Sequence, residues 1–439
     1  MIDAATLLQQ DGMAQARAIA GGRIGGAELV AAQLAVIGRL DPEINAFVQV
    51  VGSPSPAPGS NAASPLAGAC FAVKDNIDVL GWPTHAGLRA RQAGAATRTA
   101  SAAARLEAAG MVFIGKLNMH AVALGATNHN ADFGDCHNPR RAGYTPGGSS
   151  GGSGAAVAAG LCAIALGTDT MGSVRIPAAY CGVVGFKPGF DQIPVDGVVP
   201  LSRLLDHVGI LARSVADVTA AYLAMTTDAV DTASGGGDQD KPQTMAFAVP
   251  AQRETLAMSD EVRQAYEAAI ERIRHQGHSL HEIDLSPYDF TRVRRAGLLL
   301  CEAELLDTLA EPLAQRPQAL PEDLRAMLNF AAGKSAVDVA RALATAVSAG
   351  QWLQHRLRGF DGLLLPTAGQ TAFPMSEPAP HDQADFTAMA NMAGAPAISL
   401  PLPVGHEDLP IGLQLIGRRG FDAALLRAAA RIEAVLGAV

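Results

Sequence analysis

The sequence predicts an α/β protein built around a large sheet with many parallel strands, and three observations carry that expectation. Short apolar runs alternate with Ala-rich helical patterns along most of the chain, the order expected when helices cross between parallel strands. Glycine (46) is abundant while aromatic residues make up only 5%, which suits helices lying close on a sheet. At 439 residues and 49% hydrophobic, the chain can bury a sizeable core and stays within reach of one large α/β domain carrying insertions.

Taken in order, residues 1 to about 50 carry helical periodicity, and 51–65, rich in Pro, Ser, Gly and Ala, read as an exposed connection. Residues 1–60 are thus expected to precede a main body spanning 61–439. The body opens on GACFAVKDNIDV, passes through SAAARLEAAG into MVFIGKLN, and then through AAVAAG into LCAIALGTD. A second series runs from TMAFAVP through DEVRQAYEAAIERIRHQG to HSLHEIDL, and later from GFDGLLLPTA to APAISLPLPV and IGLQLIGR. Between the two, residues 227–243 are polar and glycine-rich and form the best candidate for a mobile linker. Residues 292–357 lack strand signals and are expected to form a helical flank or cap.

The balance of charge narrows the function. Net charge is -9 and no Lys/Arg block stands out, so neither nucleic acid nor an anionic membrane is an expected partner. Five cysteines, widely spaced and without a CxxC pair, suggest neither a disulfide framework nor a zinc knuckle. The N-terminus reads as an amphipathic helix and not as a signal peptide. The apolar run Ala155–Leu166 is broken by glycine and too short to span a bilayer. A cytoplasmic protein acting on a small molecule is the expectation.

The stretch from Gly147 to Pro188, GGSSGGSGAAVAAGLCAIALGTDTMGSVRIPAAYCGVVGFKP, holds the chemistry. Two Ser-bearing glycine turns bracket one small-residue helix and one apolar strand. Glycines beside a serine let backbone N–H groups converge on a ligand atom, so each turn is a candidate nucleophile and oxyanion site. A flexible Gly/Ser linker is disfavoured because the run leads straight into a buried helix and strand pattern. An esterase elbow around Ser150, which satisfies G-x-S-x-G, needs a strand directly before it, and NPRRAGYTP is a poor strand. Lys74 ends the apolar run ACFAV. Buried there, its charged form is disfavoured and it can serve as a neutral base, a change from a pKa of ~10.4 to about 7 or 8 that takes roughly 3 to 5 kcal/mol.

With Lys74, Ser149 and Ser173 together, the sequence resembles the amidase signature family. The likeness runs through GGSSGGSGAAVAAG, GTDTMGSVRIPAAYCGVVGFKP, AVKDNIDV, KLNM, LDHVGILARSVADV, GFDGLLLPT and NMAGAPAISLP followed by PIGLQLIGR. The resemblance implies a single α/β/α domain, a large mixed sheet covered by helices on both faces. It implies hydrolysis of carboxamide C–N bonds through an acyl-enzyme, with Ser173 as nucleophile, Ser149 after a cis peptide as bridging serine and Lys74 as base. The N–H groups of Thr170, Met171, Gly172 and Ser173 would form the oxyanion hole. Asp169, Arg175 and Ser150 would hold the turns, and Asn128, His129 and Met171 would lie near the substrate. No metal or cofactor is implied; His275, His278 and His281 sit at a helix end and lack further ligand groups. Three positions depart from the family pattern: Met171 stands where glycine is usual, Gly189 where threonine is frequent, and Ala121 where an acidic residue is common. Two other readings stay open, the amidase component of a tRNA-dependent amidotransferase and a catalytically silent scaffold. A homodimer is compatible with either enzyme reading.

Overall fold

The computed structural model describes residues 4–52, 64–226, 244–405 and 408–437. The linker expected at 227–243, and most of the connection at 51–65, lie outside those residues. Eleven strands form one sheet among the described residues. They are β1 (Phe47–Val50), β2 (Cys70–Lys74), β3 (Val112–Leu117), β4 (Ile164–Asp169), β5 (Val184–Lys187), β6 (His207–Ala212), β7 (Ala246–Pro250), β8 (Ser279–Ile283), β9 (Gly362–Pro366), β10 (Ala397–Pro401) and β11 (Gly412–Ile416). Their order across the sheet is β1-β3-β2-β4-β6-β5-β10-β11-β9-β7-β8.

The sheet is mixed, as the resemblance implies, and less parallel than the alternation of runs predicts. Parallel pairing is confined to β3-β2-β4 on one side and β9-β7-β8 on the other. The centre, from β4 through β6, β5, β10 and β11 to β9, is antiparallel throughout. The reason lies in the connections. No helix separates β5 from β6 or β10 from β11, and a strand that returns without a crossover pairs antiparallel.

Fourteen helices accompany the strands among the described residues. The first seven are α1 (Ala4–Leu8), α2 (Gly12–Ala20), α3 (Gly26–Ile44), α4 (Ser101–Ala108), α5 (Gly151–Ala158), α6 (Arg175–Cys181) and α7 (Val215–Met225). The rest are α8 (Asp260–His275), α9 (Phe290–Thr308), α10 (Ala310–Gln315), α11 (Glu322–Ala332), α12 (Ala336–Arg356), α13 (Asp385–Met392) and α14 (Asp422–Leu436). Successive strand residues point to opposite faces, and the cores divide accordingly. Phe71, Val73, Leu166, Leu364 and Leu415 pack with α4, α7, α8 and α14. Their neighbours Cys70, Ala72 and Ala165 pack with α3 and α5, and Leu363, Leu365 and Ile416 pack with α12 and α13.

Residues 47–50, read as part of the helical N-terminal segment, instead form the edge strand β1 against β3. The segment is also tied to the body at α2, where the Asp217 carboxylate of α7 accepts from Gly12 N (2.6 Å) and Met13 N (3.0 Å). The expected flank at 292–357 is helical, built from α9 to α12. No described helix is long and apolar enough to cross a membrane.

Candidate active site

Parallel neighbours bring their carboxyl ends to the same edge of a sheet, the usual place for a ligand in an α/β fold. β2 and β4 are such neighbours, with Val73 paired to Leu166, so Lys74 emerges beside Thr168 and Asp169. Both strands are buried along their whole length, and Lys74 itself is 0% exposed. Its Nζ donates to Ser149 Oγ (2.7 Å) and to Thr168 Oγ1 (2.9 Å). Burial lowers its pKa to about 7, against the opposing pull of the Asp206 and Asp169 carboxylates.

Burial alone does not single out this lysine. Lys187 is equally buried and lowered to about 7, yet its ammonium faces only the carbonyls of Pro188 (2.8 Å) and Ala395 (2.6 Å). Lys116 is buried against Asp75 at 3.4 Å. Of the three, Lys74 is the one that meets a serine hydroxyl capable of relaying a proton.

The glycine-rich run that leads into and begins α5 is close-packed and not a flexible linker. A Cβ on Gly148 would lie 2.8 Å from Thr127 N, and one on Gly152 only 2.4 Å from Asn118 O, so the run presses its backbone on the loop 118–128. The Gly148-Ser149 peptide is cis, as the resemblance implies, and Ser149 O accepts from His120 N (3.1 Å). Ser150 has a different task. Its N–H donates to Ser173 O (3.1 Å), its Oγ donates to Thr168 O (3.2 Å), and the same Oγ accepts from Thr168 N (3.3 Å). Ser150 therefore ties the second serine turn to β4, while Ser149 faces Lys74. No strand precedes Ser150, so the esterase elbow fails on geometry as well.

The second turn, Asp169 to Arg175, is clamped from behind. Asp169 accepts from Gly172 N (2.8 Å), Val174 N (3.2 Å), Arg175 Nε (3.0 Å) and Asn391 Nδ2 (3.0 Å). Burial pushes its carboxyl up, but Arg175, Lys187 and Asn391 more than reverse this and hold it well below the usual range. Arg175, fully buried, also donates to Thr387 O (2.8 Å), Gln414 Oε1 (2.5 Å) and Asn391 Oδ1 (2.6 Å). Thr170 Oγ1 donates to Asp206 (2.6 Å), and Thr387 Oγ1 to Met171 O (2.7 Å). Gly172 has φ +132°, and a Cβ there would fall 2.2 Å from Thr387 Oγ1, so only glycine fits. Ser173 is half-buried at the lip of this turn.

Several expected site residues are placed differently from the expectation. The N–H of Gly172 points into the Asp169 carboxylate and is lost to an oxyanion. The N–H groups of Thr170, Met171 and Ser173 have no acceptor among the described residues and remain as donors. Asn128 is buried beneath α5, accepting from Gly151 N (3.1 Å). His129 is exposed and pairs with Asp135 (3.0 Å). Met171 does lie in the turn, its side chain directed toward α9. A Cβ on Gly297 would come within 2.6 Å of Met171 Sδ and 2.4 Å of Met392 Cε, so the two methionines meet over that glycine. Met171 joins an apolar cluster that includes Met119, Leu124, Leu201, Cys301, Leu305 and Leu328. Sequence reasoning assigns no role to Thr168, Thr387, Asn391 or Gln414; three of them lie within GTDTMGSVRIPAAYCGVVGFKP, NMAGAPAISLP and PIGLQLIGR, whose likeness does not say which side chains hold the turn, and Thr387 carries no local signal.

A sequence model of the Amidase family matches residues 28–426. A glutamyl-tRNA(Gln) amidotransferase subunit from Anaeromyxobacter sp. (strain K) is 34% identical, across 95% of this chain and 94% of that protein. Fatty acid amide hydrolase of Medicago truncatula is 30% identical, across 86% of this chain and 66% of that protein. A crystal structure of an amidase superposes with a TM-score of 0.87 at 29% identity, covering 98% of this chain and 100% of the other. Motifs, fold and these likenesses agree, and the chain belongs to the amidase signature family.

Proposed function

We propose that the protein hydrolyses the C–N bond of a small-molecule carboxamide through a Ser-Ser-Lys relay. The observation that carries this reading is the buried Lys74 amine, poised near neutrality and hydrogen-bonded to Ser149 Oγ at 2.7 Å. Neutral Lys74 takes the Ser149 proton, Ser149 takes that of Ser173, and Ser173 Oγ attacks the amide carbon. The N–H groups of Thr170, Met171 and Ser173 stabilise the oxyanion, each donor being worth on the order of 10²-fold in rate. The proton returns through Ser149 to the leaving nitrogen, ammonia or an amine departs, and water clears the acyl-enzyme. The apolar cluster around Met171 suits a small or flat acyl group.

Intact mass after treatment with a fluorophosphonate, followed by peptide mapping, tests the nucleophile. One adduct on Ser173, absent from Ser173→Ala together with ammonia release from a panel of simple amides, is the expected result. An adduct that survives Ser173→Ala overturns it. The likeness to a glutamyl-tRNA(Gln) amidotransferase component supports a second reading, in which the same chemistry supplies ammonia to a partner protein. Native co-purification with a second chain that raises glutaminase activity would select it.

A further inference from the structure

A cleft of about 820 Å³ lies between the C-terminal half of α12, the end of α13 and the loop 417–421 that leads into α14. Phe190, Leu205 and Met392 line its apolar floor, and Val347 and Phe421 stand at its mouth, 46% and 46% exposed. The volume is that of a pocket for an organic ligand of moderate size.

Its charge is one-sided. Arg358, Arg418 and Arg419 line the cleft and no Asp or Glu does, in a chain whose net charge is -9. None of the three arginines forms an ion pair with a described carboxylate. Two of them lie instead over aromatic rings, Arg418 at 3.8 Å from the Phe421 centroid and Arg419 at 5.8 Å from that of Phe190. Each guanidinium is thereby held at the edge of the apolar surface, with no side-chain acceptor or carboxylate partner among the described residues. A further donor is already buried in the wall. Gln354 accepts from Arg419 N through Oε1 (3.1 Å), and its Nε2, shielded from solvent, has no acceptor among the described residues. Buried donors are normally satisfied, and an anion in the cleft would supply what this one lacks.

We propose that this cleft is a second binding site, separate from the Ser173 turn, for a small organic anion: a carboxylate, sulfonate or phosphate attached to an aromatic or aliphatic body. The apolar body lies on Phe190, Leu205 and Met392, and the anionic head meets the arginines and Gln354. The site adjoins the clamp behind the nucleophile, because Met392 in its floor follows Asn391, which holds Asp169 and Arg175.

The test uses two fluorescent probes with the same body, 8-anilinonaphthalene-1-sulfonate and the uncharged N-phenyl-1-naphthylamine, titrated into the full chain. The sulfonate should bind more tightly than its uncharged counterpart. Its affinity should fall at least about tenfold in the combined Arg358→Ala, Arg418→Ala, Arg419→Ala variant, while that of the uncharged probe stays within about twofold. Val347→Glu, which leaves the arginines in place and puts a carboxylate at the exposed mouth, should weaken the sulfonate alone. Protein blocked with a fluorophosphonate should bind the sulfonate as before. Equal affinity for the two probes, sulfonate binding unchanged by the arginine replacements, or loss of the site on fluorophosphonate treatment each overturns the proposal.

Discussion

Replacing Lys74 by methionine should make the protein more stable at neutral pH while removing its activity at every pH. In the unfolded chain a lysine holds its proton until pH 10.5, whereas in the fold burial lets Lys74 release it at about 7. Between those values the unfolded state carries one more proton than the folded state, so raising the pH favours the fold. A difference of that size corresponds to about 5 kcal/mol of destabilisation, fully present below pH 7 and gone above 10.5. Methionine escapes it but removes the Lys74 bond to Ser149 Oγ and the one to Thr168 Oγ1, which keeps only Asn76 Nδ2 (3.0 Å), and each lost bond costs about 1 kcal/mol. The variant should therefore be about 3 kcal/mol more stable than the parent at pH 7, with the gap closing by about 1.4 kcal/mol per pH unit and changing sign near pH 9. Lys187, perturbed in the same way, is present in both proteins and cancels. Paired urea denaturations from about pH 6.5 to 10 measure the gap. A gap that stays constant over that range would mean that Lys74 titrates like a solvated lysine and cannot be the base.

Activity of the parent enzyme should rise with pH through about 7 as Lys74 loses its proton, and a rate profile flat from about pH 6 to 8 would count against the relay. Ser149→Ala should lower kcat by at least about a hundredfold, whereas Ser150→Ala, which loses only the two Oγ bonds to Thr168 of β4 and keeps its N–H bond to Ser173, should retain more activity; the reverse ranking would reassign the bridging serine. Arg175→Met leaves the Asp169 carboxylate buried without its cation, which should cost about 3 to 5 kcal/mol in urea unfolding; a loss under about 1 kcal/mol would show that Asn391 and the backbone N–H groups suffice. Met171→Gly should raise kcat/KM for bulky amides relative to small ones by about tenfold. Gly297→Ala should act oppositely by pushing the Met171 thioether off α9, and identical selectivity in both variants would place the acyl group elsewhere.

Much of the site was legible because its parts sit on short, distinctive stretches. A lysine closing an apolar strand and two serines in glycine turns flanking one helix are local signals, and the structure brings Lys74 to Ser149 and packs both turns against β4. Less legible was anything set by long-range pairing. The alternation of strand and helix patterns correctly announced an α/β sheet but not its antiparallel centre, since pairing direction depends on whether a helix or a bare loop returns the chain. The engagement of the Gly172 N–H is hidden from the sequence for a similar reason. A turn's composition says that its N–H groups converge, and only the position of the Asp169 carboxylate says which one is already taken. Asn128 and His129 carry polar groups in a loop beside the site; Asn128 Oδ1 holds α5 while its Nδ2 has no partner among the described residues, and His129 pairs with Asp135.

The clamp on the turn of the proposed nucleophile has a consequence for how the protein comes into being. Lys74, Ser149 and Ser173 all lie in the first half of the chain, yet the groups that fix Arg175 come from Thr387, Asn391 and Gln414, and β5 is completed on one side by β10. A ribosome that has delivered the three side chains of the proposed relay has therefore not yet delivered the groups that hold the turn. More than two hundred further residues must be translated, at about 5–20 per second, before the turn is locked. On the proposed relay, hydrolytic power would be withheld for roughly ten seconds or more of each chain's synthesis, because nothing yet aims the nascent serine.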